Sequence, residues 1–277
     1  MNYQDIASRA DLENWIRQIE IAGTPDQRRA GFRRLVGPQP VARPKVLGGV
    51  AGRMIGRGAR VIVWLHGGGY VFGGSDTHGR PARRLAELTG WQVFVPDYRL
   101  SPDHPWPSMR HDALAVLEAL GPSPVVGDSA GGHLALQVAL ERPDLVQRLA
   151  LISPNTDRSG LSETRHRNSA TDLMNDHDTD AALAAMAFGD RPADDPALSP
   201  VLADLAALPP LYLTASTAEC LLDDTLLLAR AAGLAGVELK LDLVRDLFHL
   251  WVLWPDILPE AEQSLSDIAT WLLRDAD

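Results

Sequence analysis

The chain has one cysteine, Cys220, in 277 residues, which excludes an internal disulfide framework and any cysteine-rich zinc module. It also lacks a run of eighteen apolar residues, so no membrane-spanning helix is expected. The opening MNYQDIASRADLENWIRQIE places acids where a signal peptide needs a cationic start and an apolar core, which predicts a cytoplasmic rather than a secreted protein. No H-E-x-x-H, G-x-x-x-x-G-K-[ST] or G-x-G-x-x-G pattern occurs, so neither a metal nor a nucleotide cofactor is expected. Excess positive charge is missing too. With 26 basic and 36 acidic residues the net charge is −10, the wrong sign for a nucleic-acid partner.

What is present is an ordinary globular composition, 45% hydrophobic and 22% charged, in a chain long enough to bury a core without staples. The charge is uneven, because residues 1–60 hold eleven basic against five acidic side chains. An interface or anionic partner is one explanation of that basic front. The preferred one is that Arg28, Arg29, Arg33 and Arg34 form the solvated face of one helix. Residues 4–20 and 25–36 read as amphipathic helices, the second opened by Thr24-Pro25-Asp26-Gln27 as a cap. Residues 1–40 are thus expected to form a helical cap segment ahead of a catalytic domain spanning 41–277. Residues 37–58, rich in Gly and Pro, give only weak strand signals, at 41–47.

From Arg60 onward, short apolar runs at 60–65, 91–95, 123–126, 148–152, 210–215 and 237–243 alternate with helical patterns at 78–89, 109–120, 130–141, 220–233 and 260–274. That alternation predicts an α/β fold with a mostly parallel sheet covered on both faces. The polar stretch 157–205 is longer than a strand-to-helix turn needs and reads as an insertion contributing to a cap or lid.

Two motifs fall at the carboxyl ends of predicted strands, where doubly wound sheets bind ligands. The run at 123–126 passes directly into Gly127-Asp128-Ser129-Ala130-Gly131-Gly132 and a helix, the strand-turn-helix setting that G-x-S-x-G requires. Alone that pattern arises by chance in about one such chain in ten, and a capping serine on a Gly-rich turn explains it as well. The run at 60–65 ends in His66-Gly67-Gly68-Gly69-Tyr70, whose bare amides can approach an oxyanion or cradle a phosphate.

HGGGYVFGG (66–74), DYRLSPDHPWP (97–107), GDSAGG (127–132), the stretch from Asp194 to Asp224 and FHLW (248–251) resemble, in order, the hormone-sensitive-lipase-like branch of the α/β-hydrolases. The resemblance covers roughly residues 60–275 and implies a carboxylesterase or acetyl hydrolase acting through Ser129; small esters with short acyl chains are the expected substrates, since no broad lipid-docking surface is visible in the sequence. It implies Gly68 and Gly69 as oxyanion donors, joined by Ala130 as the residue after the nucleophile. His66 resembles a residue that braces the glycine loop, and Asp128 could hold the elbow.

Of the eight histidines, four follow Ser129. His133 lies one turn into the helix after the elbow and reads as packed or capping, while His166 and His177 read as exposed in the insertion. His249, beyond the last strand, is the base that the order Ser, acid, His requires. The acid is Glu219 or Asp223. Laid over the family's D-x-L-x-D, the first position is Glu219, which leaves Asp223 in a helix's first turn and Asp224 at the surface. Cys220 reads as a small apolar filler. Trp251 and Trp254, close to His249, are expected to line the substrate pocket or to pack in the core. A lactone or amide hydrolase of the arylformamidase type is the alternative. A non-enzymatic receptor on the same fold is less favoured, because His249 is in place. Monomer and homodimer are equally compatible with the sequence.

Overall fold

The computed structural model describes residues 2–274. Two helices lead the chain, α1 (Arg9–Gln18) and α2 (Pro25–Val36). Ser8 caps α1 by accepting from Asp11 N, so the helix expected over 4–20 begins later, after a short 3-10 turn at Tyr3–Asp5. Thr24 and Gln27 form a reciprocal capping box on α2 with Pro25 at its first position, as the sequence indicates.

There follow β1 (Arg43–Leu47), β2 (Val50–Gly56), β3 (Val61–Leu65), α3 (Gly79–Thr89), β4 (Gln92–Pro96), α4 (Ser108–Leu120), β5 (Ser123–Asp128), α5 (Ala130–Glu141) and β6 (Val146–Ile152). The insertion carries α6 (Thr164–Arg167) and α7 (His177–Phe188), after which come β7 (Leu211–Ser216), α8 (Leu222–Leu234), β8 (Leu239–Val244) and α9 (Pro259–Leu272). The eight strands form one sheet in the order β1-β2-β4-β3-β5-β6-β7-β8. The pairs β1–β2 and β2–β4 are antiparallel, and every other neighbour is parallel. Residues 43–56, where the sequence gives only weak strand signals, are therefore a hairpin extending the sheet.

Alternate side chains of each strand point to opposite faces, and the core divides accordingly. Val63, Leu65, Phe94, Val125, Leu149 and Leu213 pack against α4, α5 and α8. Ile62, Trp64, Val93, Val126, Ile152 and Tyr212 pack against α3, α9 and the leading helices. Ile6, Leu12, Trp15, Ile16 and Phe32 belong to that second layer, so the N-terminal segment shares the body's core. Its basic face is also partly engaged. Arg29 Nε donates to Val71 O at 3.0 Å and its Nη2 to Ser101 O at 3.3 Å, while Arg33 pairs with Asp76 at 2.6 Å. Among the described residues, no helix is long and apolar enough to cross a membrane.

Candidate active site

At the end of β5 the chain turns so sharply that Ser129 takes φ 54° and ψ −120° before α5 begins. A non-glycine residue at positive φ is strained, and the surroundings enforce it. A Cβ on Gly127 would lie 2.4 Å from Gly131 O, and one on Gly131 would lie 2.1 Å from Leu65 O. Both glycines are therefore required by backbone packing. Ser129 N donates to Ile152 O at 3.0 Å, which pins the turn to β6.

His249 lies after β8, in a turn where Leu250 adopts the left-handed conformation at φ 63°. Its Nε2 is 2.8 Å from Ser129 Oγ, and its Nδ1 is 3.3 Å from Glu219 Oε2. Glu219, in the turn after β7, also accepts from Ser153 Oγ at 2.8 Å through the same oxygen. All three residues are buried. Burial pushes the Glu219 carboxyl up against the opposing pull of His249. The His249 imidazole is depressed by burial, but the hydrogen bond and charge of Glu219, then Asp172 and Asp180, outweigh this and leave it raised.

Asp223 is turned elsewhere, its Oδ2 accepting from Thr164 N at 3.0 Å. Asp224 is not at the surface. It is fully buried and receives Arg165 Nε at 3.0 Å and Nη2 at 2.6 Å, together with Thr156 N and Asp157 N at 2.8 and 2.9 Å. Arg165 also bonds Asp180 on α7, so this buried network ties the insertion to α8. A partner for Asp224 lies 59 residues away in the chain, out of reach of any local pattern.

The glycine loop lies against the elbow. Gly68 and Gly69 have φ 119° and 58°. Among the described residues, no backbone acceptor takes the N–H of Gly68, Gly69 or Ala130. Side chains could not be added here, since a Cβ on Gly68 would meet Phe72 O at 2.2 Å. Asp128 is buried and fastens the loop, accepting from Gly67 N at 2.9 Å and Trp64 Nε1 at 2.7 Å, with His78 Nε2 at 3.2 Å. His66 Nδ1 bonds Gly67 O at 2.9 Å, and its ring stacks on Tyr98 at 4.1 Å. His133 is buried beneath the loop with Nδ1 2.6 Å from Tyr70 Oη. His166 is exposed and His177 partly so, their rings 3.9 Å apart. Cys220 is buried, and burial with the nearby Asp172 pushes its thiol up to about 12, which makes it inert.

Above Ser129 opens a cavity of about 240 Å³, with Ile16 and Ile19 of α1, Phe32 and Leu35 of α2, and Leu173, Met174 and Leu183 of the insertion as its apolar wall. A larger cavity of about 540 Å³ lies beyond α7 and does not include Ser129 or His249 in its lining. Trp251 and Trp254 are not brought to the site. Both are fully buried in the layer beneath α9, where Trp251 Nε1 donates to Ser264 Oγ at 3.2 Å. The left-handed turn at Leu250 presents Leu250 itself to the cavity and directs the following residues into the core.

Residues 62–253 match the family model described as alpha/beta hydrolase fold. The chain is 33% identical over 247 residues to an esterase of Acinetobacter venetianus, covering 84% of this chain and 82% of that one. It is 28% identical to an acetyl-hydrolase of Streptomyces hygroscopicus, covering 78% and 76%. A carboxylesterase of Mycobacterium tuberculosis is 34% identical over 227 residues, covering 74% and 70%. Among solved structures, an esterase from the bacterial hormone-sensitive lipase family superposes with TM-score 0.91 at 28% identity, covering 97% of this chain and 98% of that one. A hormone-sensitive lipase from a metagenome library gives 0.88 at 29%, covering 96% and 98%. With its sheet order, its elbow and these relatives in agreement, the chain belongs to the α/β-hydrolase family, in the hormone-sensitive-lipase-like branch.

Proposed function

We propose that Ser129, His249 and Glu219 form a catalytic triad that hydrolyses small carboxylic esters with short acyl chains through an acyl-enzyme. Carboxylic ester hydrolysis is the activity of this chain by family; the triad and the substrate size are the further reading. One observation carries it: Ser129 Oγ, the imidazole and a buried carboxylate stand in series at 2.8 and 3.3 Å, within or just beyond the hydrogen-bond reach expected of a resting nucleophile and base.

In this mechanism Ser129 Oγ attacks the acyl carbonyl while His249 Nε2 takes its proton. Glu219 stabilises the imidazolium that results. The oxyanion is received by the N–H groups of Gly68, Gly69 and Ala130, each contributing about 3 kcal/mol to lowering the barrier. His249 then protonates the leaving alcohol, and a water activated by the same ring releases the acid. The cavity of about 240 Å³ is below the range of roughly 300–1,000 Å³ typical of drug-sized ligands, which favours a short acyl group on a small alcohol. A cytoplasmic location belongs to this reading, since the only cysteine is buried and unpaired.

Ser129→Ala is expected to abolish both fluorophosphonate labelling and p-nitrophenyl acetate hydrolysis, and the wild-type rate is expected to fall with acyl-chain length. A Ser129→Ala protein hydrolysing at the wild-type rate would remove the nucleophile from the scheme.

A further inference from the structure

The loops bearing Glu219 and His249 are both held by one side chain of the insertion. Asp172 lies between α6 and α7 and is partly buried. Its Oδ1 accepts from His249 N at 3.0 Å and from Met174 N at 3.0 Å, and its Oδ2 accepts from Cys220 N at 2.9 Å. Cys220 directly follows Glu219, so a single carboxylate receives one backbone N–H from the base and one from the residue joined to the acid. Nearby, Asn168 Nδ2 donates to Glu219 O at 2.9 Å. The insertion therefore reaches under the two loops as well as walling the cavity, in which Asp172 is itself a lining residue.

We infer that Asp172 is a positioning residue for the triad, fixing the register of Glu219 against His249 and placing a negative charge beside the imidazole. This rests on the Ser129-His249-Glu219 reading. Its geometric part follows from the bond lengths. The acid and base loops leave different strands, β7 and β8, and among the described residues no backbone hydrogen bond joins Glu219 or Cys220 directly to His249. Two N–H donors on one carboxylate, His249 N and Cys220 N, supply that connection, and they are charge-assisted bonds, the stronger kind.

The electrostatic part concerns the charged groups that act most strongly on the ring. Glu219 faces Nδ1, Asp172 lies under the backbone, and Asp180 of α7 acts from the insertion while paired with Arg158 and Arg165. The carboxylates of Glu219, Asp172 and Asp180 all favour the imidazolium. Removing the charge of Asp172 therefore lowers the pH at which His249 becomes a free base. The Cys220 thiol beside it stays neutral and supplies no compensating charge.

The test compares Asp172→Ala and Asp172→Asn with wild type and Ser129→Ala, in the full chain, using p-nitrophenyl acetate over a pH series. Asp172→Ala is expected to lower kcat by ~10- to 100-fold with KM nearly unchanged, the scale at which a small misplacement of reacting groups acts. Asp172→Asn keeps an oxygen for His249 N and Met174 N, so it is expected to recover part of kcat. In both variants the acid limb of kcat/KM moves to lower pH, a change that loss of folding alone does not produce. Should the alanine variant not fold, the asparagine variant decides by its acid limb. An unmoved limb with kcat within about twofold of wild type overturns the inference, as does a rise in KM at constant kcat. If Ser129→Ala is inactive while the Asp172 variants behave as wild type, only this inference fails. If Ser129→Ala remains active, the triad reading itself fails.

Discussion

Asp128 Oδ2 accepts the N–H of Gly67 at 2.9 Å, so the residue before Ser129 holds the loop that presents the bare amides. The bond joins the end of β5 to the end of β3 across 61 residues of chain, and Trp64 Nε1 and His78 converge on the same carboxylate. Burial pushes this carboxyl up, yet the facing His78 and the donated hydrogen bonds leave it below the usual range.

Asp128→Ala is expected to destabilise the protein by about 3–5 kcal/mol, because it leaves the buried donors Gly67 N, Trp64 Nε1 and His78 without their acceptor. The loop is also freed from the elbow, so kcat falls more than KM rises. Thermal unfolding and steady-state kinetics on the same preparation check both effects. A variant as stable as wild type would show that the three donors find other acceptors.

The two carboxylates weighed as the acid separate cleanly in space. Glu219 faces His249 Nδ1, whereas Asp223 receives Thr164 N. Glu219→Gln is expected to reduce kcat by roughly 10³- to 10⁴-fold, the scale seen when the orienting acid of a triad is neutralised. Asp223→Asn should stay within about tenfold, since it loosens the insertion without touching the ring. Equal losses from the two substitutions would count against Glu219 as the orienting acid.

His133 gives stability a pH dependence with a definite sign. Burial, and after it the charge of Arg158, lowers this ring to about 3, against about 6.5 for an exposed histidine. Between those values the unfolded chain binds a proton that the folded chain refuses. Stability therefore falls as pH drops, by about 1.4 kcal/mol per pH unit from this ring, and does not change through it above about 6.5. His66, lowered to about 4 chiefly by burial, acts in the same direction. Urea unfolding at a series of pH values should show a shallower acid slope in His133→Asn than in wild type. Identical slopes would mean that the ring is not a buried neutral group.

How much was legible in advance varies with the reach of the interaction involved. The helix at 25–36 carries its signal within a few residues, as a capping box and a glycine stop, and the strands β3 to β7 do so as short apolar runs. The strand β2 does not. Gly52 interrupts it, because a Cβ there would meet Val95 O at 2.4 Å, so the close strand approach that needs glycine also erases the β pattern. Asp224 reads as an exposed acid until Arg165 is placed beside it. Trp251 and Trp254 read equally as pocket or core, since an aromatic close to His249 suits either, and only the direction of the turn at Leu250 separates the two.

The amino-acid order by itself determined the alternation that makes the sheet, and the elbow whose glycines leave no room for a side chain. These depend on sterics and periodicity over short spans of backbone. Tertiary structure alone decided that Asp172 bonds the loops of Glu219 and His249, that Asp224 is buried against Arg165, and that the N-terminal helices join the core. Whether a carboxylate is solvated or buried depends on the donors that meet it, and here those donors arrive from segments 48 to 77 residues distant.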